Sequence, residues 1–250
     1  MIKKVILYLV VFIISLMLSL IVLFPANILW QQVLAPKINL SAMGVRVEKV
    51  QGTIWEGQAL VNYGSIASIL SWDVQTSGLL GLSLPVQLNL VSQAGELKSV
   101  VTLRPSTVKI TVPKADVQLT ALNPVLKAQR LTLDGELLIK DLSVYLEGGR
   151  PVNASGLASW SGGDIAYPAG REVHQRNLPV FRADIDTRDG VIRLAIRDTQ
   201  ASFDVISGSL DQQGVGMMSI TRRLLDLSRE PWSQNSREQD VVFKVKKELF

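Results

Sequence analysis

A chain of 250 residues, 47% hydrophobic and 19% charged, is too apolar to remain a disordered solvating chain, and its net charge of +4 falls short of the concentrated positive charge of a nucleic-acid binder. The absence of cysteine excludes thiolate metal sites, disulfide frameworks and cysteine nucleophiles, and the single His174 excludes a His-rich metal site. The mean hydropathy of +0.25 has its main source at the N-terminus.

After Lys3 and Lys4, residues 5–24 carry no charge and few polar groups. Twenty residues at about 1.5 Å each span roughly 30 Å as a helix, the thickness of the hydrocarbon core of a bilayer. A cleaved signal has a shorter apolar run and a small-x-small site; the nearest such sequence, Val33-Leu34-Ala35, lies well beyond the run. The pattern predicts an uncleaved transmembrane signal-anchor. The Met1 amine, Lys3 and Lys4 precede it and residues 25–36 contain no Lys or Arg, so the positive-inside rule places the N-terminus in the cytoplasm and the remaining chain across the membrane. The domain reading is a cytoplasmic N-terminus (1–4), a transmembrane helix (5–24), a juxtamembrane segment (25–44) and a periplasmic β-rich domain (45–250).

From Val45 onward, period-two alternation dominates. Val86, Leu88 and Leu90 oppose Gln87 and Asn89; Val108, Ile110 and Val112 oppose Lys109 and Thr111; Ile192, Leu194 and Ile196 oppose Arg193 and Arg197. The apolar phase slips at Lys140-Asp141, which predicts a bulge or tight turn there. Asp134-Gly135 is a hairpin-type dipeptide and Gly148-Gly149 marks a turn. Ala201, Phe203 and Val205 continue the alternation, and Val241, Phe243 and Val245 form a last strand. Residues 65–70 suit a strand or a turn of helix, residues 162–177 read as a loop, and residues 217–229 read as a short helix closed by Pro231. The fold class expected is mainly β: antiparallel, a sandwich or an open curved sheet, with one short helix near the C-terminus.

Chemistry-bearing patterns are sparse. His174 stands in a polar stretch without a G-x-S-x-G partner and reads as a solvated loop residue. Asp184 and Asp186 share a strand face, but Arg182 and Arg188 flank them, as on a charged solvent face. Arg222-Arg223 and the Lys244/Lys246/Lys247 group are diluted by neighbouring acids and read as solvated faces. A terminal Phe250 on an alternating strand is also a feature of outer-membrane barrels; the unbroken apolar helix argues for arrest in the inner membrane instead. No catalytic, cofactor-binding or metal-binding residue is assigned, and none of these patterns points to an enzyme or to a nucleic-acid partner.

The conspicuous pattern is glycine with tryptophan. Gly52-Thr53-Ile54-Trp55-Glu56-Gly57 is followed by Trp72, by Gly78-Leu79-Leu80-Gly81, and later by Gly156 and Trp160. Strand glycines mark close backbone approach, and a broad indole covers the gap, so Gly52, Thr53, Trp55, Gly57, Trp72, Gly156 and Trp160 read as packing points. With the preceding apolar helix, these residues resemble the type II secretion system protein N family. The resemblance implies an accessory inner-membrane component that exports folded proteins across the outer membrane, with no cofactor, and with other secretion subunits and the inner-membrane bilayer as partners. Open β structures of this kind also resemble lipid-handling AsmA-like proteins, which implies instead an apolar groove with lipid as partner.

Overall fold

The computed structural model describes residues 2–37, 39–233 and 235–249, without the side chains of Ile2, Lys3, Val5, Met43, Leu79 and Leu80. The expectations placed on the Met1 amine and on Phe250 lie outside the described residues. Helix α1 (Ile2–Val22) leads through Pro25 and the short α2 (Ala26–Leu29) to the first strand. Strands β1 (Val45–Gly52), β2 (Glu56–Tyr63), β3 (Ile66–Val74), β4 (Leu84–Ser92), β5 (Gly95–Leu103) and β6 (Thr107–Gln118) follow as a meander. Then come α3 (Asn123–Leu126), β7 (Thr132–Leu133), β8 (Glu136–Glu147), β9 (Arg150–Trp160), β10 (Gly163–Ala169) and β11 (Glu172–Leu178). The chain ends with β12 (Phe181–Arg188), β13 (Val191–Asp198), β14 (Ile206–Leu210), β15 (Val215–Thr221), α4 (Arg222–Leu227) and β16 (Val241–Glu248).

Thirteen strands form one antiparallel sheet in the order β1-β2-β3-β4-β5-β6-β8-β9-β12-β13-β14-β15-β16, and β11-β10-β7 form a second, small sheet. The architecture is therefore an antiparallel sheet with a partial second layer, and not two matched sheets of a sandwich. Several turns follow from local chemistry. Gly148 and Gly149 both adopt positive φ between paired Glu147 and Arg150, as a two-residue hairpin requires. The expected phase slip is a bulge: register breaks between Lys140 and Ser143, with Asp141 at φ 51°.

Four local expectations are corrected and one open alternative is decided. Residues 162–177 are the β10–β11 hairpin, turned by Gly170 at φ 63°; Pro168 is accommodated because β7 pairs only with Ile165 and Ala166. His174 is consequently a strand residue. Of the two alternatives for residues 65–70, the strand holds: residues 66–70 begin β3 and Ser65 lies in the turn before it. Residues 217–221 continue β15, and the helix is confined to α4, because Thr221 keeps a β-region backbone and bonds Val205. Residues 201–205 leave the ladder: the Asp198 carboxylate takes the backbone N–H groups of Gln200 and Ala201, which replaces strand pairing there. Asp134-Gly135 is no hairpin; it passes the chain from β7 in the small sheet to β8 in the large one.

The pairing registers line up a continuous run of apolar residues on one face of the large sheet, while Ile69, Val91 and Leu157 lie exposed on the other. Opposed across neighbouring strands are Ala59–Leu70, Leu70–Leu90, Leu90–Leu97, Val101–Ile110, Ile110–Val144 and, further on, Ala158–Ala183, Ile185–Leu194 and Ile206–Ile220. The small sheet, α4 and residues 199–205 cover only part of that face, around the core of Leu178, Phe181 and Val205. Val205 is the one large apolar side chain fully enclosed among the described residues. Over β3–β5, Leu70, Trp72, Val86, Leu88, Leu90 and Val101 remain half-buried. The accessible surface of 16628 Å² exceeds the value of about 11,000 Å² expected for a compact monomer of this mass, and exposed α1 together with the partly covered face accounts for the excess.

Candidate functional site

Four arrangements are chemically distinctive: a clamp on α1, an apolar slot, and two partly buried ionic clusters. The clamp is built from the Gly/Trp motif. Gly52 closes β1 at φ 94°, and Thr53 Oγ1 accepts from the backbone N–H groups of Trp55 and Glu56 at 3.2 Å each, holding a tight turn into β2. Trp72 Nε1 donates to Thr53 O at 3.1 Å and its ring lies over Gly57, where an added Cβ would overlap both the indole and Gln51 O. Only glycine leaves that room.

The turn presents Trp55 to the helix. Trp55 Nε1 donates to Ile21 O at 3.0 Å, Ile54 N–H donates to Phe24 O at 3.0 Å, and Pro25 bridges Thr53. Ile21 carries one of the last carbonyls of α1, which have no partner within the helix. The motif thus caps α1 and fixes it to the β1 edge of the sheet. Lys3 and Lys4 lie at the opposite, N-terminal end of α1, with Lys4 exposed. The described apolar side chains from Ile6 to Val22 are exposed to the surroundings. Among the described residues no helix is long and apolar enough to cross a membrane.

Gly156 and Trp160 lie apart from the clamp, on β9. Gly156 faces the bulge on β8, where a Cβ would come within 2.8 Å of Leu142 Cα. Trp160 donates from Nε1 to Asp134 O at 2.8 Å and stacks on Phe181, with centroids 5.9 Å apart and planes 7° from parallel. Trp160 and Phe181 form part of the floor of a slot of about 530 Å³ between the large sheet and the cover of α4 and the small sheet. The lining is almost wholly apolar; Tyr167, Ser228 and Glu230 are among its few polar members.

Glu230 collects donors from β10 and β11. Tyr167 donates its hydroxyl to Glu230 Oε1 at 2.5 Å, His174 Nδ1 lies 2.7 Å from the same oxygen, and Arg176 Nη2 reaches it at 3.4 Å. The Glu230 carboxyl is held below its ordinary range, first by His174 and then by Tyr167, while burial and this carboxylate push the Tyr167 hydroxyl up. Sequence separations of 54–63 residues hide this cluster from any local pattern. The second cluster joins Arg223 to Asp198 through Nε and Nη2 at 3.0 and 2.9 Å. Burial raises the Asp198 pKa, but hydrogen bonds from Ala201, Arg223 and Gln200 outweigh it and leave the carboxyl below its usual value.

The other candidates are separate. Asp186 pairs with Arg188 at 2.5 Å and Asp184 lies 3.6 Å from Arg197, all on an exposed strand face. Arg222 pairs with Asp226 along α4. No cluster of three or more His, Asp or Glu side chains suited to a metal ion occurs among the described residues.

A family model described as type II secretion system (T2SS), protein N matches residues 43–224, which takes in the clamp turn, the whole sheet up to β15, and the first residues of α4. No curated protein and no solved structure matches the chain.

Proposed function

The chain belongs to the type II secretion system protein N family, and from that premise we propose that it is a non-enzymatic, membrane-tethered scaffold of the secretion machinery. Membership implies a role in type II secretion, contact with other secretion subunits and association with the inner membrane. The match over residues 43–224 carries the reading.

In this reading α1, extended by Leu23 and Phe24, enters the inner membrane as an uncleaved single-pass anchor. Lys3 and Lys4 keep the N-terminus cytoplasmic, residues 25–44 form the juxtamembrane segment, and residues 45–250 stand in the periplasm as the β-rich domain. The exposed apolar surface of α1 supports the tether, since such a surface is stable only in lipid or against a partner. The Gly52–Trp55 clamp would then set the sheet at a defined angle to the bilayer, because it bonds the last turn of the helix directly to β1. Docking to other subunits falls to the opposite edge: β16 pairs on one side only, with β15, and its Val241, Phe243 and Val245 are exposed. An unpaired strand edge offers regular main-chain donors and acceptors for strand addition. Lipid handling, the second reading of the sequence, has the apolar slot in its favour.

The test is deletion of the gene in a strain with an active type II system, followed by complementation. Secretion of an exported reporter enzyme should fall on deletion, return with the full chain, and fail to return when residues 2–24 are replaced by a cleavable signal. Undiminished secretion in the deletion strain overturns the scaffold reading; full rescue by the untethered domain overturns the tether.

A further inference from the structure

The sequence surrounds the lysines of β16 with acids, but the structure commits most of those acids elsewhere. Asp226 pairs with Arg222, Glu230 pairs with His174 and Arg176, Glu238 pairs with Arg223, and Asp240 accepts the backbone N–H of Arg237 at 2.7 Å. Lys244, Lys246 and Lys247 are exposed and have no ion pair among the described residues. Glu248, which ends the strand, remains beside them.

The two faces of β16 differ. Lys244 and Lys246 stand opposite Ser219 and Met217 of β15, on the polar face. That face continues into a groove of about 370 Å³ whose lining carries Arg188, Arg193, Arg197 and Lys244 against Asp186 and Asp204, an excess of cations. A field of that sign favours an incoming acid. Phe243 and Val245 stand on the other face, opposite Ile220 and Met218, and the centroid of the Trp232 ring lies 5.4 Å from that of Phe243. Strand β16 thus offers one partner an unpaired main-chain edge, cations on one side and exposed apolar side chains on the other.

A second copy of the chain fits that edge poorly. Two-fold pairing of β16 with itself preserves the faces, and the two registers with the greatest overlap centre on Lys244 or on Val245. The first sets Lys244 against Lys244 and the second sets Lys244 against Lys246; like charges directly opposed are destabilising. An anionic membrane surface would meet the lysines but leave the main-chain row of β16 to water. A strand with acids at alternate positions meets all three features, because directly opposed residues stand about 4.5–5.5 Å apart on one face. On the premise of edge docking at β16, we propose that the strand it takes alternates apolar residues with Asp or Glu, the acids beside Lys244 and Lys246 and the apolar residues beside Phe243 and Val245.

The probes are labelled decapeptides of alternating Val and Glu or of alternating Val and Lys, titrated against the full chain in phosphatidylcholine nanodiscs and read by fluorescence anisotropy. The Glu peptide should bind roughly tenfold or more tightly than the Lys peptide, since two opposed charge pairs change sign between them. Backbone N-methylation of the Glu peptide, which removes its ladder donors, should weaken it by roughly tenfold or more. The double variant Lys244→Glu/Lys246→Glu should reverse the preference, and its gain of affinity for the Lys peptide shows that the edge is still folded. Equal affinity for the two peptides, indifference to N-methylation, or a preference that survives the double variant overturns the proposal. Absence of binding by either peptide overturns it as well, together with strand addition at β16, and loss of secretion on deletion would still support the scaffold. Acid-selective binding beside undiminished secretion supports the β16 edge and removes the scaffold.

Discussion

Arg223→Met isolates the most enclosed ion pair. The Asp198 side chain is 1% exposed and that of Arg223 is 15% exposed, so the pair is shielded from solvent. Arg223 supplies both of its contacts to Asp198 Oδ2, whereas Oδ1 keeps the N–H groups of Gln200 and Ala201 at 3.1 and 2.5 Å. Removing one partner of a buried pair costs about 3–5 kcal/mol, and the two surviving backbone bonds place this case near the low end, about 3 kcal/mol. The additional contact of Arg223 with Glu238 is exposed on the acid side and adds little. At roughly 2–4 °C per kcal/mol for a domain of this size, the melting temperature should fall by about 6–12 °C at pH 7. The pH dependence carries the sign. In the native protein the Asp198 pKa is depressed, so its stabilisation is present above the unfolded value near 3.8 and is lost as pH falls through the folded value. Without Arg223, burial of the carboxylate is less opposed and its pKa rises, so the deficit of the variant should be largest at neutral pH and shrink on acidification. Calorimetry of wild type, Arg223→Met, Asp198→Asn and the double variant between pH 3 and 7 measures all of this. Additive effects of the two substitutions, or a deficit independent of pH, would refute the reasoning.

Gly57→Ala forces a Cβ against Gln51 O and the Trp72 indole, and should lower stability by about 1–3 kcal/mol and shift the tryptophan emission, as read by fluorescence-monitored thermal unfolding. Glu230→Gln removes a carboxylate whose pKa is depressed by His174 and Tyr167; the melting temperature should drop at pH 7, and the difference from wild type should shrink as pH falls below the unfolded value near 4.5 and through the depressed folded value, where wild type also loses the charge. A drop that does not shrink as pH falls below 4.5 would contradict that assignment.

Much of the β architecture was legible because side-chain alternation is a local property of the pleat. Leu88, Val101, Ile110 and Leu194 declare their face within a few residues, and the slip at Lys140-Asp141 and the Gly148-Gly149 turn follow from the same short-range geometry. Alternation failed where a side chain competed for the backbone. Asp198 captures the amides that would have continued a strand, so Val205 is enclosed by a loop. It also failed at residues 162–177, whose polarity suggested a loop although the segment pairs as β10 and β11.

The sequence by itself determined the strand periodicity and the strongly apolar first segment, because each depends on residues near in the chain. Only the tertiary structure decided what those elements meet: Trp55 with the end of α1, Glu230 with Tyr167 and His174, and α4 over a face that the small sheet covers only in part. Those contacts join residues more than thirty positions apart, and no local preference specifies which distant partner satisfies a given carbonyl, carboxylate or apolar face.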